Sequence, residues 1–169
     1  LFNENGQFVS GQNSKSLTIQ DAKWFGMPVD TWIRHIVSIH FDPVSGSRYW
    51  LQKEKTLGID ARKDISSFHD VQILGPMEEE DLRRYPVEYF IPKICLKNKE
   101  ELILGETAGT TGLPKVTAYL RHEFFMTFVE WFRYIAVYRG FPKNLNWLWV
   151  GPGGPHIIGK AVSPVANSM

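Results

Sequence analysis

The run Glu106-Thr107-Ala108-Gly109-Thr110-Thr111-Gly112-Leu113-Pro114-Lys115 collects the residue types that a polyphosphate requires. Such a group is large, anionic and rich in hydrogen-bond acceptors. A chain grips it by bringing backbone N–H groups close, which glycine permits, and by adding hydroxyl donors and a cation. Here Gly109 and Gly112 free the backbone, Thr107, Thr110 and Thr111 offer hydroxyls, and Lys115 offers the charge. Ala108 contributes only its backbone, and Pro114 stiffens the exit. The Walker loop is a different solution, with Gly-Lys followed by Ser or Thr at the start of a helix. Lys115 instead follows Pro114, and Val116 begins a strand-like run. Gly109-Thr110-Thr111-Gly112 alone would fit a plain hairpin turn. The whole run, with Pro114-Lys115 and extended flanks, favours a phosphate loop.

Other groups offer less. Glu78-Glu79-Glu80-Asp81 could hold a metal, but it reads better as the first turn of a helix, where negative charge favours the helix dipole. The single cysteine, Cys95, sits in the apolar run Ile94-Cys95-Leu96 and reads as a buried filler, and no internal disulfide can form. His156, in a glycine-rich turn after an apolar run, suits a pocket by position and suits a structural turn equally well. Trp147 and Trp149 read as core. No metal-ligand cluster and no Ser-His-Asp or Cys-His arrangement stands out, so no metal site is expected.

The elements that must position the loop follow from periodicity and punctuation. Residues 1–16, rich in Asn, Gln, Gly and Ser, read as a mobile lead-in. Thr18 can cap a short helix through Asp21, Trp24 and Phe25, ended by Gly26. Val29, Trp32, Ile33, Ile36, Val37 and His40 recur at helical spacing after Pro28. Ser47 can cap a helix ending before Gly58, and Ser67 can open a short one through Phe68 and Val71. These segments make 17–86 a mainly helical region. From Val87 the texture changes: Val87–Ile91 and Ile94–Leu96 look extended, and Glu100–Gly105 and Val116–Leu120 look like paired strands around the loop. A long helix is expected from about His122 to Arg139, stopped by Gly140 and Pro142, with Phe128 and Phe132 on a sheet. Asn146–Val150 reads as a buried strand, and Ile157–Val162 as the start of a further helix. Residues 87–169 therefore predict the start of a mixed α/β sheet layer, and the chain as a whole an α/β protein.

Composition sets outer limits. Nineteen basic residues nearly balance eighteen acidic ones, and no basic stripe is evident, which argues against nucleic acid as a partner. No stretch approaches the roughly 20 apolar residues of a membrane span, and the first residues do not form a signal peptide. Together with the lone cysteine, these features suit a cytoplasmic protein without a membrane partner.

Thr107-Ala108-Gly109-Thr110-Thr111-Gly112-Leu113-Pro114-Lys115 resembles the signature loop of the adenylate-forming superfamily of acyl-CoA synthetases, luciferases and adenylation domains. The surroundings resemble the phenylacetate–coenzyme A ligase branch, in which a segment like Asp64-Ile65-Ser66-Ser67-Phe68-His69-Asp70-Val71 precedes an acidic helix and then the loop. The likeness covers roughly residues 47–165. It departs at Ala108, where the family has Ser or Thr, and at Val116, where it often has Gly. Gly154-Pro155-His156-Ile157-Ile158-Gly159 is similar, more loosely, to a family segment whose histidine lies near the acyl pocket.

The resemblance implies part of a larger adenylate-forming N-terminal domain, with ATP, Mg²⁺ and coenzyme A as cofactors and a small carboxylic acid as substrate. The loop, with Lys115 as its catalytic cation, would hold the β- and γ-phosphates. The family's adenine, ribose and Mg²⁺ motifs and its catalytic lid are expected beyond Met169. The chain alone is thus expected to be inactive, to expose apolar surface, and to need the rest of the enzyme or self-association. The alternative is a non-catalytic, degenerate or split member acting as a partner-binding module. A third reading is an α/β binding domain whose loop takes no nucleotide.

Overall fold

The computed structural model describes residues 23–24, 26–110 and 112–169. The expected lead-in over 1–16, the Thr18 cap and Thr111 of the loop lie outside the described residues. The chain forms two compact units. One holds the described residues up to Met77 with Pro92–Ile94, and the other holds Glu78–Ile91 and Cys95–Met169. The spatial division falls upstream of the change in texture at Pro86, because the acidic segment joins the loop half.

In the first unit, β1 (Lys23–Trp24) pairs antiparallel with β2 (Met27–Pro28) about Gly26. This corrects the short helix expected at Trp24. Helix α1 (Val29–His40) follows Pro28, then α2 (Arg48–Leu57) and α3 (Ala61–Asp64). Gly58, left-handed with φ 67°, closes α2 as its position foretells. Ser47 precedes α2, but its side chain caps nothing; its Oγ is buried without a hydrogen-bond partner. A 3-10 turn over His69–Leu74 completes the unit. Val37 and Phe41 meet Ala61, Ile65 and Leu74 in its core, with Ile33, Trp50, Ile59 and Val71 packed around them. The helical spacing of Ile33 and Val37 is what turns both inward. The Asp70 carboxylate accepts from the backbone N and the hydroxyl of both Ser66 and Ser67. That holds its pKa down to about 2, the Ser66 backbone bond contributing most.

In the second unit, α4 (Asp81–Arg84) follows a turn at Glu78–Glu80, so of the acidic run only Asp81 enters the helix. Val87–Tyr89 and Cys95–Lys97 are 3-10 turns, not the extended segments expected. Pro86 cannot donate to a ladder, and its carbonyl instead accepts from Tyr89 N, curling the chain. Strands β3 (Leu102–Glu106) and β4 (Val116–Leu120) form an antiparallel hairpin in which Leu102 faces Leu120 and Glu106 faces Val116. Glu100 and Glu101, read as part of the strand, lie in a 3-10 turn before it.

The long helix is present as α5 (Arg121–Phe124), a π-helical stretch (Phe125–Glu130) and α6 (Trp131–Tyr138). Phe124 and Val129 are its buried anchors, and the Tyr119 ring of β4 meets Phe124 and Phe128 at 6.0 and 5.4 Å. Phe132, expected to pack on the sheet, stays 51% exposed. Asn146–Val150 is irregular and exposed, with Leu148 at 89% and Val150 at 86%. The buried strand expected there is absent, and so is the core role of Trp147 and Trp149, because no described strand flanks this segment. Helix α7 (Ile157–Asn167) buries Ala161 and Val165 and packs on β3 and the π-helical stretch. The architecture is thus a mixture of helices with small antiparallel sheets, the coarse α/β class. Among the described residues no helix is long and apolar enough to cross a membrane.

Candidate functional site

The loop leaves β3 at Glu106 and returns at Val116, so the hairpin register fixes both its ends. Two further bonds close its neck. Thr107 N donates to the Lys115 carbonyl at 3.0 Å, and Lys115 N donates to Thr107 Oγ1 at 3.0 Å. Thr107, expected to be a phosphate donor, therefore braces the loop; as an acceptor it keeps its own O–H proton. The tip tightens through Gly112 N donating to the Gly109 carbonyl at 3.2 Å. Gly109 has φ 68° and Gly112 φ 144°, a region that suits glycine alone. A Cβ on Gly109 would lie 2.9 Å from the Gly112 carbonyl oxygen and 3.1 Å from Pro114 Cγ. Ala108 and Thr110 face solvent.

The acidic turn and α4 complete the site, which the loop sequence does not foretell. Lys115 Nζ pairs with Glu79, and Arg83 pairs with Glu80. Arg83 Nε also donates to the Leu113 carbonyl at 2.8 Å. Its guanidinium lies beside Gly112, where a Cβ would stand 3.8 Å from Nε. The two cationic side chains are withdrawn, Arg83 14% and Lys115 19% exposed, whereas Glu79 and Glu80 are 76% and 66% exposed. The hydrogen bond from Lys115, and then its charge, hold the Glu79 carboxyl below its ordinary range. Two withdrawn cations thus sit at the returning limb of a glycine turn, each paired with a solvent-facing carboxylate. The chemistry open to such a site is binding and charge neutralisation of an anion. Among the described residues no group of three or more His, Cys, Asp or Glu is placed to hold a metal.

The remaining candidates stand apart. His156 is the N-cap of α7, its Nδ1 accepting from Ile158 N at 3.2 Å, so the ring serves the helix. Its backbone forms a parallel bridge to Glu106, and Glu106 N donates to the Pro155 carbonyl at 3.0 Å. The glycine-rich turn is thereby tied to the root of the loop. An apolar cleft of about 120 Å³ opens between Phe132, Trp147, Trp149, Ile158, Ala161 and Val165, and His156 does not line it. Cys95, expected to be a buried filler, is only half-buried, and burial, then the Glu123 charge, push its thiol pKa up. No family model matches the chain, and no curated protein matches it in sequence.

Proposed function

We propose that this chain carries the phosphate-binding part of an ATP-dependent acid ligase, which forms an acyl adenylate and then an acyl thioester with coenzyme A. The observation that carries the reading is the glycine turn at Gly109–Gly112 whose returning limb carries two withdrawn cations, Lys115 in the limb and Arg83 bound to it at Leu113. A carboxylate attacking the α-phosphorus of ATP expels pyrophosphate, and charge grows on the departing oxygens. Fixed cations and backbone donors aimed at those oxygens favour that step, and glycine lets the backbone approach them. In this reading Lys115 and the turn hold the β- and γ-phosphates, and Thr110 adds a hydroxyl from the open side. No step is assigned here to Mg²⁺, which would be held largely by the phosphates themselves. The acyl pocket is proposed near the glycine-rich turn of His156, which is tied to the loop by backbone and not through its ring.

The test is ATP–pyrophosphate exchange, driven by a panel of carboxylic acids, in the full-length gene product. Lys115→Ala and Thr110→Ala each remove one charged or hydroxyl contact, which costs about 1.5–3 kcal/mol, or roughly ten- to a hundredfold in rate. Thiol transfer from preformed acyl-AMP is spared, since pyrophosphate has left by then. Unchanged exchange in both variants removes the loop from the mechanism.

A second reading, a partner-binding module, is favoured by the exposed aromatic side chains of Trp131, Tyr134, Tyr138 and Phe141. Its test is light scattering of the chain with and without ATP. Association that ignores nucleotide, with no exchange activity, supports it.

A further inference from the structure

We infer that Arg83 is a second cation of the phosphate site, and that Glu79 and Glu80 are resident counter-ions which a polyphosphate displaces. The inference rests on the phosphate-loop reading above and extends it to a segment that the loop motif does not include. Arg83 is held by the loop itself, through the Leu113 carbonyl, and lies beside the bare backbone of Gly112. Lys115 stands at the loop's returning end. Both cations therefore belong to the returning limb of the turn whose backbone would approach the phosphates.

The exposures set the direction of exchange. Arg83 and Lys115 are withdrawn from solvent, and Arg83 is also held by the Leu113 carbonyl, while Glu79 and Glu80 face water. Ion pairs with one solvent-exposed member are weak, and a carboxylate released into water regains its hydration. A polyphosphate brings several charges to both cations at once, and a guanidinium offers a planar fork that matches phosphate oxygens. It therefore replaces the two carboxylates while the cations stay in place.

The experiment is calorimetric titration of the whole chain with inorganic tripolyphosphate, which carries the phosphates without adenine or ribose, at low and high salt. Arg83→Gln is expected to weaken binding about tenfold or more, and Arg83→Lys to recover much of the loss by restoring the charge. Glu80→Gln removes one counter-ion of Arg83 and is expected to tighten binding severalfold, a gain that shrinks as salt screens the charges. A merely structural Arg83 would lower the melting temperature and would not produce this opposite sign. Wild-type affinity in Arg83→Gln, with binding lost in Lys115→Ala, overturns the inference and leaves the phosphate loop standing. Undiminished binding in both Arg83→Gln and Lys115→Ala overturns the two together.

Discussion

Gly109→Ala is the sharpest perturbation of the loop, and Gly58→Ala is its control. Both glycines are left-handed, φ 68° and φ 67°. A non-glycine residue there costs about 1–2 kcal/mol from the clash of its Cβ with the following carbonyl. At Gly58 nothing lies within 4 Å of the added Cβ, so that is the whole expected effect. At Gly109 the Cβ also meets the Gly112 oxygen at 2.9 Å and the Pro114 ring at 3.1 and 3.2 Å. These atoms belong to the loop's own returning limb, so relief requires the turn to open, adding about 1 kcal/mol. The total of about 2–3 kcal/mol corresponds to a roughly 30- to 150-fold loss of tripolyphosphate affinity if binding uses the closed turn. Calorimetric titration reads that loss. Urea denaturation of Gly58→Ala reads the conformational part alone. Wild-type affinity in Gly109→Ala, with the expected destabilisation in Gly58→Ala, would show that ligand binding does not depend on this turn.

Three further outcomes are expected. Burial lowers the His40 pKa from 6.5 to about 4, so the unfolded chain takes a proton at a pH where the folded chain refuses it. His40 therefore leaves stability intact above pH 6.5 and withdraws ~3 kcal/mol as pH falls to about 4; urea denaturation should show a steeper acid loss in wild type than in His40→Leu. Asp70, with its folded pKa depressed to about 2, contributes stability that is present above 3.8 and lost as pH falls through about 2. Asp70→Asn should thus melt below wild type at pH 7 and converge with it near pH 2; equal melting at pH 7 counts against the four-donor cap. Phe124→Ala empties the packing against Tyr119 and Phe128 and should cost about 3–5 kcal/mol in the unit that carries the hairpin, measured by urea denaturation.

Much of the local structure was legible because it depends on neighbours a few residues away. The spacing of Ile33 and Val37 made α1, Gly58 closed α2, and Gly140 closed α6. The extended runs on either side of the Gly109–Gly112 turn paired as a hairpin, with β4 matching its expected bounds of Val116–Leu120. The glycines, threonines and lysine of the loop were equally local, and so was the chemistry they suggest. Segments whose state depends on distant pairing were not legible. Asn146–Val150 has the composition of a buried strand, but a strand needs a ladder partner, and no described segment supplies one. Val87–Ile91 has β-prone residues, but the prolines around them leave the backbone to close short turns instead. The site itself shows the same limit. Thr107 became a brace because the register set it opposite Lys115. Lys115 meets Glu79 across 36 residues, and Arg83 meets Leu113 across 30. A charged side chain has many possible partners in a sequence and no periodicity to choose among them. Only the packing of α4 against β4 brings those cations to one loop.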